Sequence, residues 1–140
     1  MSETQPAVDF LILADRAEAI NGKLYLMGGG WDVLSPPSAS GPATFSVALG
    51  ILVPWMATNT DHRCAVRLED ADGKRLLEMT MEFRTGRPPT MEQGATQRVM
   101  VALPISIVFP ASGAYAIVAS IGEQERRSGF QVRLQATSPR

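Results

Sequence analysis

His62 and Cys64 are the only histidine and the only cysteine of the chain, and they stand two residues apart. On a strand that spacing puts both side chains on one face. A His-x-Cys pair joined by a carboxylate is a minimal zinc set, but zinc sites draw on more of these residue types than the chain holds. As a general base, His62 would need a nucleophile and an orienting carboxylate within hydrogen-bond reach. Asp15, Asp32 and Asp61 are the available orienters, and nothing in their spacing brings them to it. A structural or partner-contacting histidine is the stronger reading. Cys64 alternates with Val66 and Leu68, which makes it a small buried hydrophobe rather than a reactive thiolate.

Other residues with chemical capacity are weighed in the same way. Gly28-Gly29-Gly30 has the composition of a phosphate cradle, yet neither a helix pattern nor a Lys-Ser/Thr pair follows it. A stretch that admits a close neighbour fits better. Asp15 and Glu18 face opposite sides if their segment is a strand and share a side if it is a helical turn. Arg84 and Arg87 flank Thr85-Gly86 at the mouth of a loop, where they would grip an anion or simply be solvated. Trp31 and Trp55 each follow a strand and border a loop, and so belong to the core or to a contact surface enriched in large aromatics. Met56 and Met91, two of seven methionines, fall in loops and add adaptable apolar surface. The candidate binding residues are therefore Trp31, Asp32, Trp55, Asn59, His62 and Arg87. No catalytic set, metal site or cofactor is expected.

The elements that must position these residues are strands. Alternation runs through 45–53, 64–68, 77–83, 99–109, 115–121 and 130–134. A dense apolar run opens the segment 8–20, which bends or turns helical near Asp15. Asn21-Gly22 marks a hairpin whose returning strand is 23–27; Gly28-Gly29-Gly30 interrupts it and 31–34 continues it. Asp70-Ala71-Asp72-Gly73 is a tight turn. It joins a hairpin that sets Arg63 and Arg67 against Glu78 and Glu82. Residues 35–42, 55–61 and 85–96 read as loops, and 122–125 as a turn. Seven to nine short strands imply an all-β, antiparallel two-layer sandwich of immunoglobulin-like type, without the cysteine–tryptophan–cysteine core of antibody domains. Pro104 points to an edge or a bulge. One face of 45–53 carries only Ser46, Ala48 and Gly50, flat enough to receive a second sheet or a symmetry mate.

Composition bounds the rest. The chain has 140 residues, 45% hydrophobic and 19% charged, which fits one domain spanning 1–140 with a loose tail at 136–140. Thirteen basic and fourteen acidic residues leave a net charge of −1, so no electrostatic footprint for nucleic acid follows. The uncharged stretch 99–122 is long enough to cross a bilayer, but Pro104, Pro110 and the turn Pro110-Ala111-Ser112-Gly113 make it two strands instead. The start of the chain lacks a basic region, and with a lone cysteine the expectation is cytoplasmic.

Two segments carry a resemblance. Residues 21–32 read NGKLYLMGGGWD, after a strand bearing Asp15 and Glu18, and residues 53–62 contain Val53-Pro54-Trp55, Asn59 and His62. In this order they resemble a family of small bacterial proteins of unknown function, over most of the chain. The resemblance implies a single-domain, cytoplasmic, non-enzymatic β protein and brings no activity or cofactor. The functional expectation is an interaction or structural module that binds a protein partner or itself as a homo-oligomer. Next comes a small-molecule binder with a pocket near Trp31, Trp55 and His62, and last an enzyme.

Overall fold

In a computed structural model, residues 4–38 and 40–135 are described. The tail expected at 136–140 lies outside them. Among the described residues nine strands form two packed sheets. They are β1 (Ala7–Ile20), β2 (Lys23–Gly29), β3 (Val33–Leu34), β4 (Ala43–Val53), β5 (His62–Asp70), β6 (Arg75–Phe83), β7 (Gln97–Ile107), β8 (Gly113–Ile121) and β9 (Gln124–Val132). The first sheet has the order β2-β1-β4-β7 and the second β3-β9-β8-β5-β6. All pairings are antiparallel except β3 with β9, which is parallel. The all-β two-layer architecture is the one the alternation predicts.

The core lies between the sheets. Phe45, Val47, Leu49, Ile51 and Val53 of β4 meet Cys64, Val66 and Leu68 of β5 and Ile117, Ala119 and Ile121 of β8. One end is closed by rings: Phe109 packs on Tyr115 at 4.8 Å, and Phe130 lies 5.9 Å from Phe45. Tyr115, near the start of β8, donates its hydroxyl to the Ala111 carbonyl at 2.6 Å and fixes the β7–β8 corner. No helix among the described residues is long and apolar enough to cross a membrane, and 99–122 is indeed strand, turn and strand. Pro104 sits on β7, an edge strand, where its missing N–H costs the sheet nothing.

The structure corrects the sequence expectations in four places. Residues 15–20 are strand, not helix: β1 runs on to Ile20 because β2 pairs with it from Ala14 onward. Residues 31–34 do not prolong β2; the chain crosses at Gly30 and Trp31 into the other sheet, where Val33 pairs with Gln131. The turn near 122 is shorter than expected, since β9 already begins at Gln124. Arg67 stands opposite Glu78 in register but binds elsewhere, to Glu69 and Glu125, while Glu78 pairs with Arg75. The expected cross-strand pair Arg63–Glu82 does form, at 3.1 Å.

Candidate functional site

Four of the six candidate residues meet at one end of the sandwich. Pro54 stops β4, and Trp55–Ala57 form a single 3-10 turn. Thr58 donates its hydroxyl to the Trp55 carbonyl at 2.7 Å. Asn59 takes a left-handed conformation, with φ of 60°, and its N–H reaches the Thr85 carbonyl at 2.7 Å. That bond ties the loop to the segment after β6. The Arg87 guanidinium lies 3.8 Å over the Trp55 ring, donates to the Thr58 hydroxyl at 2.7 Å and donates to the Trp55 carbonyl at 3.0 Å. Arg84 donates to the Asn59 carbonyl at 2.7 Å. His62 Nε2 lies 2.7 Å from the Ala57 carbonyl, so Nε2 carries the hydrogen and donates it. Its ring leans on Phe83. These donors are spent on the loop's own carbonyls and hydroxyl. Trp55, Asn59, His62 and Arg87 thus form a clasp that fixes the loop's shape.

Trp31 and Asp32 lie elsewhere. The Trp31 ring meets Phe45 edge-on at 5.7 Å and Phe130 at 5.8 Å. Phe45 is near the start of β4, and Trp55 follows its end. At about 3.4 Å per residue the two tryptophans are roughly 25–30 Å apart. A pocket shared by Trp31, Trp55 and His62 is therefore excluded by the length of β4. The exposed Asp32 serves the crossover through its backbone, its carbonyl accepting from Gln131 N–H at 2.8 Å. Cys64 is fully buried, and burial pushes its thiol up to about 11. Among the described residues, no three His, Cys, Asp or Glu side chains are grouped to hold a metal ion.

The exteriors of the two sheets differ sharply. On the five-stranded sheet the outer face is ionic. Glu69, only 5% exposed, accepts from Arg67 Nε at 3.0 Å and also from Arg127, and Arg67 reaches Glu125 at 3.0 Å. The Arg67 hydrogen bond, and then that of Arg127, hold the Glu69 carboxyl below its ordinary range, against the opposing effect of burial.

On the four-stranded sheet the outer face is apolar at its centre, with the Asp9–Arg98 ion pair at one end, 2.9 Å apart. The registers place Phe10 beside Gly50 and Met100, and Ile12 beside Ala48 and Ala102. The flat face expected of Ser46, Ala48 and Gly50 is consequently not bare. Ala48 is fully buried beside Ile12, and the Phe10 ring occupies the space a Cβ on Gly50 would need.

The β1–β2 hairpin extends this apolar surface. Asn21 and Gly22 both have positive φ, as a two-residue hairpin turn demands. β4 pairs with β1 only as far as Ala14. Beyond that point the ribbon's two strands pair only with each other, although β2 also comes close to β7, and its side chains neither join the core nor pack against it. Tyr25 is 54% exposed, Leu26 37% and Met27 70%. Gly28 ends the run: its φ is +63°, and a Cβ there would collide with the Asp15 carboxylate. Gly28 thus serves close approach, while Gly30, with a φ of +85° and open space around it, serves the turn into the other sheet. Asp15 and Glu18, on one strand, face opposite sides.

Ile20, Tyr25, Leu26 and Met27 are exposed here and are not among the six candidate residues. The signal was present, because Leu24-Tyr25-Leu26-Met27 is apolar on both alternations although it follows a hairpin turn. A strand with one wet face does not read that way.

No curated protein matches the chain. A sequence family does match, over residues 9–133, from the bulge of β1 through the end of β9, so that the apolar sheet, the hairpin and the loop clasp all fall within it. The chain belongs to that family, DUF6941, a family of unknown function.

Proposed function

We propose that this protein is a non-enzymatic interaction module whose contact surface is the exterior of the four-stranded sheet together with the β1–β2 hairpin. One observation carries the reading: the two sheet exteriors are unlike. An ionic exterior is finished by water. An apolar centre that continues into exposed Tyr25 and Met27, opposite Glu18 and Arg16 on the same ribbon, is stabilised when another surface covers it. A hairpin standing on two strands is marginal alone in water, which adds to the case for a partner.

The immunoglobulin-like reading has support of its own. β1 lies in one sheet, the chain then crosses so that β3 runs parallel to β9 in the other, and Tyr115 ties the corner before β8. In that scheme the β1–β2 hairpin is an added arm. The buried, unpaired Cys64 is compatible with a reducing compartment, and we assign the protein to the cytoplasm.

Native mass spectrometry of the wild type and of Met27→Asp tests the interaction reading. A multiple of 15.1 kDa, or an added protein mass, is expected for the wild type and lost in the variant. A monomer that retains only a small molecule would overturn it.

A further inference from the structure

Resting on that reading of the hairpin, we infer that the free edge of β2 pairs with the same edge of a second copy of this chain, antiparallel about a two-fold axis at Tyr25. The first ground is the edge itself. β2 ends the sheet, and among the described residues no strand hydrogen-bonds to its outer side. Natural edges are blunted by charge, proline or bulges. Between the turn and Gly28 this one offers a single charge, Lys23, at its start.

The second ground is the direction of its hydrogen-bonding groups. In a two-residue hairpin the residues flanking the turn form the first hydrogen-bonded pair, and bonded and non-bonded pairs then alternate. Ile20 with Lys23, Glu18 with Tyr25 and Arg16 with Met27 are therefore bonded pairs. Leu24 and Leu26 turn their N–H and C=O groups outward, toward the free side.

The third ground fixes the register. The regular backbone available to a partner runs from Lys23 to Met27, because Gly28 leaves the extended region. Its midpoint is Tyr25. A two-fold axis there exchanges backbone hydrogen bonds between Leu24 and Leu26 of the partner subunit, in both directions. Tyr25 meets its own copy as a close, non-hydrogen-bonded pair. Lys23 falls opposite Met27 of the partner subunit, so its charge meets an apolar chain rather than itself. The exposed side chains on both alternations find apolar partners, and the two four-stranded sheets become one continuous sheet of eight.

Directly opposed residues of a non-hydrogen-bonded pair have Cα atoms about 4.5 Å apart, within the range a disulfide spans. Native Cys64 is buried and does not compete. Tyr25→Cys under mild oxidation is expected to become a covalent dimer in high yield. Met27→Cys is expected to stay uncrosslinked, since the axis holds the two copies of that position about 13–14 Å apart. Val108→Cys, on an exposed residue away from the hairpin, reports random collision. Leu26→Pro removes an outward N–H without touching a bond inside the hairpin, and is expected to turn a wild-type dimer into a folded monomer.

If the wild type is a dimer but Leu26→Pro remains one, or Met27→Cys crosslinks as readily as Tyr25→Cys, β2 pairing is overturned while the interaction reading stands. The same holds if the wild type is a monomer that binds a different protein through Met27. If it is a monomer with no protein partner, both fall.

Discussion

Replacing Glu69 by glutamine tests the ionic exterior. The carboxylate is almost wholly buried and accepts charge-assisted hydrogen bonds from Arg67 Nε and from Arg127. Removing a hydrogen bond to a charged group costs about 1.5–3 kcal/mol. The Arg127 contribution is discounted, because that side chain is 57% exposed and screened by water. For a domain of this size 1 kcal/mol moves Tm by about 3–4 °C, so Glu69→Gln is expected to lower Tm by about 5–10 °C at pH 7.

The pH dependence has a definite sign. The native carboxyl titrates below its ordinary value of 4.5, so its stabilisation is complete above that value and fades as pH falls through the lower native one. Thermal unfolding followed by circular dichroism between pH 7 and pH 3 should therefore show the two curves converging on the acid side. A Tm change under about 1 °C at pH 7, or a gap that stays constant to pH 3, would refute the reasoning.

Other expectations follow from single contacts. Gly50→Ala drives a methyl into the Phe10 ring and should cost about 1–3 kcal/mol, measured by urea unfolding; in a Phe10→Leu background the cost should shrink. Arg87→Ala takes the cation from over Trp55 together with two hydrogen bonds. It should lower stability by about 1–2 kcal/mol and speed amide exchange at Asn59, whose N–H bond to Thr85 depends on the same loop. Cys64 should resist a thiol reagent at pH 8 until denaturant is added, because burial holds its thiol at about 11; rapid labelling of the native protein would contradict its placement.

The strands were legible wherever one face is wet. The β5–β6 hairpin shows its alternation and its Asp-Gly turn openly, and the aspartate does what the turn requires: Asp70 Oδ1 accepts from the N–H groups of Asp72 and Lys74, both at 2.9 Å. Pro104 declared its edge. Arg67 was harder to place, since choosing Glu69 and Glu125 over Glu78 depends on β9 arriving alongside, beyond the reach of one hairpin's register. The segment 15–20 concealed its strand because alanines and charges there fit a helix as well, and only pairing with β2 decides between them. The candidate residues divided for the same reason. Trp55, Asn59, His62 and Arg87 gather because one loop and the segment after β6 bring them together. Trp31 shares Trp55's residue type and its place beside a loop, but the crossover at Gly30 carries it to the other end.

That crossover also bears on the order of folding. β3 lies beside β9, so Val33 waits for Gln131, and Trp31 for Phe130, both late in the chain. Contacts this distant in sequence close slowly, because the intervening loop's entropy is lost before any packing is gained. The β5–β6 hairpin can assemble as soon as it leaves the ribosome. The seam between the sheets cannot close until residues 124–132 have been made. Through that interval the Trp31 and Phe45 rings lack Phe130, and the newborn chain is at its most adhesive just before it is complete enough to seal.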